Sequence, residues 1–364
     1  MSVVLRPQAT LYRERERGAS FNVEDFRRLG LLNDDGKPRL SRAVGYFNNV
    51  ENDGLLMELY EFWRDFNEYF VIRRQRVNER TYATEWQYKA VKCSKRGNDV
   101  HRKRVMKRLD WLKRVQNVEF FNVSDFYDER ARPLLEKKVS TSLLWVTLTY
   151  DVKLCSRRSA WENVGEEYSR FMHLLRKKYG LVSALRVFES FENGFPHVHV
   201  CLYFHEATFN VFPHLSMKEG KFSFRISEKA QFEEFWHSHV DVEAISSMRK
   251  LGSYVRKYQT KVYSGSSSKS IKTMCFCWIH RKRSFALSGS FRTALSDLIR
   301  GLRNWAMETG QKTLDGDMLE WSAWEFVGVF SGAELKINGA VWFKRLEADQ
   351  IRHVLERGVE VYEH

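Results

Sequence analysis

The chain has 364 residues, 43% of them hydrophobic and 14% aromatic, which is too long for one typical domain and too rich in large apolar side chains for a minimal peptide scaffold or a globally disordered chain. Its 60 Lys+Arg against 46 Asp+Glu leave a formal charge of +14, a balance that favours a polyanionic partner such as nucleic acid. No uncharged apolar run approaches the roughly eighteen residues that cross a bilayer, and the first residues are interrupted by Arg6, Arg13, Glu14, Arg15, Glu16 and Arg17, so a soluble, intracellular (cytoplasmic) protein with no membrane partner is expected.

Residues 1–139 lack strand alternation and carry charged stretches with intermittent apolar positions such as Leu55, Leu56, Leu59, Phe62, Trp63 and Phe66, a mainly helical pattern. Ten Lys/Arg fall between Lys92 and Arg114 while Val105, Leu109 and Leu112 recur at helical spacing, so an apolar stripe can face the protein as the basic residues face DNA phosphates or simply solvent. From about 140 the pattern becomes strands and helices in alternation. Leu143–Tyr150 reads as a strand rich in β-branched and aromatic residues, and Trp161, Val164, Tyr168, Phe171, Met172 and Leu175 form a helical stripe that Gly180 should stop. Ala184–Phe191 and Pro196–Phe204 read as a hairpin across Asn193-Gly194. A helix near Ser227–His237, a strand at Val240–Ala244, a helix near Ser247–Thr260 and a loop at Gly265–Ser268 follow. The last residues suggest a second hairpin around Asn338-Gly339 and a short helix from Glu347. The domain division expected is 1–139, a mainly helical basic region; 140–300, a region of alternating strands and helices; and 301–364, a C-terminal segment. The five cysteines are odd in number and their closest pair is spaced CxC, which favours reduced thiols and no zinc module.

In Pro196–Phe204, alternation sends His197, His199, Cys201 and Tyr203 to one face and Val198, Val200, Leu202 and Phe204 to the other. Two imidazoles on one side of a strand make a ready site for a divalent ion. His237-Ser238-His239 repeats the spacing, but it falls at a helix-to-strand junction and reads as structural or surface. The third ligand depends on the hairpin loop. With Asn193-Gly194 alone as the turn, Glu189 points away from the imidazoles; with Glu192-Asn193-Gly194 as a three-residue loop and Gly194 left-handed, His197 sits opposite Glu189 and all three share a face. The second arrangement is expected, since glycine at the last position is what that loop wants, and Glu192 is the alternative ligand. The N/N/O set suits Mn²⁺ or Mg²⁺. In Tyr254-Val-Arg-Lys257-Tyr258-Gln-Thr-Lys261, the two phenols and the two ammoniums are each i, i+4 neighbours on a helix, so a nearby cation could favour phenolate and lysine could hold a phosphate.

Trp145–Tyr150, then Glu189 to His199 reading ESFENGFPHVH, then YVRKYQTK at 254–261 resemble in order the three motifs of HUH endonucleases, specifically the two-tyrosine rolling-circle replication initiators (Rep proteins) of plasmids and small viruses. The resemblance covers about 143–261. It implies an α+β fold, a central antiparallel β-sheet (the HUH/RRM-like palm) with flanking helices, here joined to a mainly helical basic N-terminal region. It also implies metal held by His197, His199 and Glu189, attack by Tyr254 or Tyr258 on single-stranded origin DNA, and Lys257 and Lys261 steadying the phosphate. A 5′-phosphotyrosyl link and a free 3′-OH primer would result. No GxxxxGK[ST] is present, and Gly265–Ser270 lacks the glycine before Lys269, so strand separation falls to a host helicase or supercoiling, with host polymerase and single-strand-binding protein as further partners. The competing readings are a transposase or relaxase of the same superfamily, a phosphodiesterase that releases free products, and a non-catalytic DNA-binding replication protein.

Overall fold

The computed structural model describes residues 22–34, 36–78, 81–110, 120–126, 139–153, 155–216, 220–247, 249–250, 268–293, 324–337 and 341–360. In chain order the elements are helices α1 (Val23–Arg28), α2 (Leu40–Phe47) and α3 (Asp53–Asp65), strands β1 (Glu68–Val77) and β2 (Thr84–Lys92), helix α4 (Asp99–Asp110), and strands β3 (Val139–Thr141) and β4 (Leu143–Thr149). Then come α5 (Arg157–Tyr179), β5 (Val182–Ser190), β6 (Pro196–Phe204), β7 (Phe209–Ser216), β8 (Lys221–Ile226), α6 (Lys229–Trp236), β9 (Val240–Ala244), α7 (Ser268–Ile279), β10 (Phe285–Ser288), β11 (Glu325–Ser331), β12 (Phe343–Arg345) and α8 (Ala348–Glu360). The fold is α+β with antiparallel sheets, as the resemblance implies. Among the described residues no helix is long and apolar enough to cross a membrane, and all five cysteines are free.

Two compact units divide the chain: Met1–Tyr60 with Met106–Ser296, and Glu61–Val105 with Asp297–His364. The first is built on a five-stranded sheet of order β10-β5-β6-β4-β9, with a smaller sheet β3-β7-β8. The histidine strand β6 is central. Its even-numbered side chains, Val198, Val200, Leu202 and Phe204, are fully buried on the apolar face, where Trp161 of α5 meets Phe188, and Phe232 of α6 meets both Phe171 and Phe204. Each such side chain contributes about 1.5–3 kcal/mol on burial. Helix α5 starts where Ser156 accepts a hydrogen bond from the Ser159 amide at 3.1 Å and stops at Gly180, whose φ of 75° is left-handed and whose amide donates to Arg176 O at 3.0 Å.

Helix α7 presses His280, one residue beyond its end, flat against Trp161, with ring centroids 5.9 Å apart and planes 6° from parallel. Burial lowers the imidazole pKa from 6.5 to about 4, helped by the cations Lys282, Arg158 and Arg157 and opposed by Glu162. The ring is therefore neutral in the folded protein and takes a proton near pH 6.5 only when unfolded. Stability from this group is present above about pH 6.5 and is lost as pH falls towards 4, on the order of 2–3 kcal/mol. Urea titrations across that window should show the decline in the wild type and a flatter profile in His280→Phe.

The second unit holds a four-stranded sheet of order β11-β1-β2-β12. Its core joins Tyr69, Val71, Tyr88, Ala90, Phe330, Leu335, Ile337 and Leu346 to Val354 of α8, the helix expected from Glu347. The hairpin β1–β2 is a strand pair in a region whose charge pattern suggests helix. Its far end is polar over Arg73–Arg76 and increasingly exposed, so alternation fades there. The expected C-terminal hairpin is corrected: β11 pairs with β1 and β12 with β2, not with one another. Asn338 and Gly339 themselves lie outside the described residues, as does most of the helix expected near Ser247–Thr260.

Candidate functional site

The hairpin β5–β6 closes through Glu192-Asn193-Gly194. The Phe191 amide donates to Phe195 O at 2.9 Å, the Gly194 amide donates to Phe191 O at 2.9 Å, and Gly194 has φ +85°. A side chain at 194 would be strained by that φ, and its Cβ would lie 2.8 Å from Arg157 Cδ. The indole N–H of Trp161 donates to Gly194 O at 2.8 Å, and Lys272 Nζ donates to Glu192 O at 2.9 Å, so the loop is tied to α5 and α7.

This loop sets the register. Ser190 pairs with Pro196 and Glu189 with His197, which brings Glu189, His197 and His199 to one face as the three-residue loop requires. Glu192 is exposed at the loop tip, whereas Glu189 is only 3% exposed. The Glu189 carboxylate reaches diagonally to His199, with Oε2 2.9 Å from Nε2. His199 is likewise 3% exposed, and the rings of His197 and His199 lie 4.3 Å apart between centroids. Phe191 flanks His197 at 4.3 Å.

On the other side of β6, β4 pairs Thr147 with His199, and Thr147 Oγ1 lies 3.1 Å from His199 Nδ1. Trp145 stacks on the same imidazole at 5.9 Å and 26°. His199 is thus held by a carboxylate on one nitrogen, a hydroxyl on the other and an indole beside its ring. One neutral form satisfies both contacts, with Nε2–H donating to Glu189 and Nδ1 accepting from the Thr147 hydroxyl; a second, with Nδ1–H donating to Thr147 Oγ1, requires a cation between the Nε2 lone pair and the Glu189 carboxylate. The second is the tautomer a metal ligand needs, fixed by an outer hydrogen bond. Asp241 of β9 enters the sheet opposite Thr147 and is paired with Arg225, whose Nη1 also donates to Val242 O at 2.9 Å. Deeper on the strand, Cys201 is fully buried and its thiol pKa is pushed up by burial, so it is inert as a nucleophile.

The donor types suit a divalent cation. The 2.9 Å between Glu189 Oε2 and His199 Nε2 matches the separation of about 3 Å for two donors sharing an edge of an octahedral shell with bonds near 2.1 Å. Among the described residues, however, no group of three His, Cys, Asp or Glu side chains already surrounds a single point. His237 ends α6 with φ +60°, and His239, 67% exposed in its side chain, lies 3.7 Å from Glu233, so this second histidine pair is the surface feature expected of it. Tyr254, Lys257, Tyr258 and Lys261 lie outside the described residues. Thr147 and Trp145 are the site residues that the histidine spacing alone does not disclose; their signal is the strand Trp145–Thr149 read together with its register on β6.

Residues 143–263 match the family model of the replication-associated protein ORF2, which supports a replication initiator of the Rep type. No curated protein and no solved structure matches the chain.

Proposed function

We propose that this chain is a rolling-circle replication initiator of the HUH endonuclease type that nicks single-stranded origin DNA and later rejoins the ends. The observation that carries the reading is the hairpin register that sets Glu189, His197 and His199 on one face inside the matched segment, with His199 oriented by Thr147. In this reading His197, His199 and Glu189 would hold Mn²⁺ or Mg²⁺, which would supply positive charge at the scissile phosphate. Tyr254 or Tyr258 attacks the phosphorus in line: a Tyr Oη–P bond forms, the P–O3′ bond breaks, the phenol gives up its proton and the departing 3′ oxygen takes one. Lys257 and Lys261 favour the phenolate and steady the phosphate. The bond energy is kept in the 5′-phosphotyrosyl link, so the 3′-OH primes synthesis without ATP and the reverse step rejoins strands. Two phenols allow one to hold the old end while the other cuts after a full round. Host helicase, polymerase and single-strand-binding protein do the remaining work, and residues 1–139 and 301–364 serve as accessory segments to a catalytic region at 140–300.

The test is incubation with Mn²⁺ and a tiled set of single-stranded oligonucleotides from the DNA flanking the gene. A covalent adduct is expected, lost in Tyr254→Phe/Tyr258→Phe and kept in His239→Ala. Cleavage without an adduct makes the protein a hydrolase, and binding without cleavage a non-catalytic replication protein; either result overturns the proposal. In the same assay Thr147→Val, which removes the hydroxyl facing His199 Nδ1, should lower cleavage about 10- to 100-fold with a stability loss of about 1 kcal/mol. An unchanged rate would show that the hydroxyl does not orient the imidazole.

A further inference from the structure

We infer that the face of the four-stranded sheet turned away from α8 is a binding platform for single-stranded DNA, separate from the histidine site. The core of that unit takes one face: Tyr69, Val71, Tyr88 and Ala90 pack with Val354 of α8. Alternation sends Arg74 of β1 and Lys89 of β2 to the opposite face, and the ladder aligns Phe343 with Val91, Arg345 with Lys89 and Phe326 with Ile72 on that same side. Phe326 is 61% exposed and Phe343 47%, and they stand on the two opposite edge strands of this small sheet.

Cations lie over the rings of Phe343 and Trp324. Lys89 Nζ lies 4.4 Å from the Trp324 ring centroid and 4.7 Å from that of Phe343, and the Arg74 guanidinium lies 4.7 Å from Trp324. The contacts restrain the rings before any ligand arrives and so reduce the ordering cost of stacking. The charge is complementary to a phosphate chain. Arg74, Lys89 and Arg345 are basic, Arg76 is offset by Glu85 directly opposite, and Glu325 turns to the other face to pair with Arg73 at 2.9 Å.

Exposed aromatics with basic neighbours on a sheet face are the chemistry of unpaired bases: rings stack on base faces while cations follow the backbone. A duplex hides those faces inside its stack. Phe326 and Phe343 stand three strand spacings apart, roughly 14 Å. The protein's net charge of +14 adds long-range attraction.

The test uses the full chain in metal-free buffer, so no cleavage is read and the outcome does not depend on the nicking mechanism. Fluorescein-labelled oligothymidylate of about 20 nucleotides and a duplex of the same length are titrated by anisotropy. Phe326→Ala/Phe343→Ala should weaken oligothymidylate binding about tenfold or more while changing duplex binding little. Lys89→Gln/Arg345→Gln should reduce the slope of log affinity against log salt by about 1 to 2. If the alanine pair lowers the melting temperature, Phe326→Leu/Phe343→Leu keeps the apolar bulk without the rings and should show the same selective loss. Wild-type affinity in both ring variants, or equal loss for single strand and duplex, overturns the proposal. So does a change of oligomeric state with no change in DNA affinity, which would make the face a contact between copies of the chain.

Discussion

His199→Ala is expected to slow oligonucleotide cleavage by a thousandfold or more. The imidazole it removes is the most constrained group of the site, with Glu189 on Nε2 at 2.9 Å, Thr147 on Nδ1 at 3.1 Å and Trp145 stacked on its ring. A ligand that helps to place charge on a transferring phosphate contributes several kcal/mol to the barrier, and about 1.4 kcal/mol is a factor of ten. The variant also leaves the buried Glu189 carboxylate without that partner, which costs about 1–3 kcal/mol of stability. His199→Gln separates the two effects. An amide can still donate to Glu189 and should recover much of the stability, but it is a poorer metal ligand and should recover little of the rate. Single-turnover cleavage and a urea midpoint measured on the same preparations distinguish them; a near-wild-type rate in His199→Ala would remove this imidazole from the mechanism.

Trp161→Ala should give the largest loss of stability, about 3–5 kcal/mol. The indole is fully buried, stacks on Phe276 at 5.6 Å and on His280 at 5.9 Å, meets Phe188 edge-on at 6.2 Å, and donates to Gly194 O. Its removal opens a cavity between α5, α7 and the sheet and releases the loop that sets Glu189 opposite His197. Trp161→Phe keeps most of the packing and loses the N–H donor, so it should cost less, with a share of about 1 kcal/mol from the hydrogen bond. Denaturant midpoints for the two variants measure the difference. Equal, small losses would mean that the indole is not what holds the loop.

Much of this arrangement is legible in the linear pattern because local rules fix it. The helical stripe from Trp161 to Leu175 and its glycine stop give α5, the short apolar alternation at Val240–Ala244 gives β9, and Gly194 at the last loop position fixes the register that aligns Glu189 with the histidines. The partners of His199 from β4 are harder to read. Thr147 meets Nδ1 only because β6 lies between β5 and β4, and strand order is set by the tertiary fold. The hairpin β1–β2 is obscured for a different reason. Arg73, Arg74, Gln75 and Arg76 follow one another without alternation, and the buried half of β1, Tyr69 to Ile72, is too short to show a period of two against that background. The pairing of β11 and β12 is equally non-local, since each completes a sheet begun more than 200 residues earlier. The aromatic and basic face follows from that pairing, since Phe326, Phe343 and Lys89 come together only once the sheet is assembled.

Whether a tyrosine of the 254–261 segment takes up the cut DNA is decided by digesting the trapped protein–oligonucleotide adduct and sequencing the modified peptide by mass spectrometry. A 5′-phosphonucleotide on Tyr254 or Tyr258 is expected, in a reaction that needs Mn²⁺ or Mg²⁺ and fails in His199→Ala. Attachment to any other residue, or cleavage that leaves the protein unmodified, rules out the proposed tyrosine chemistry.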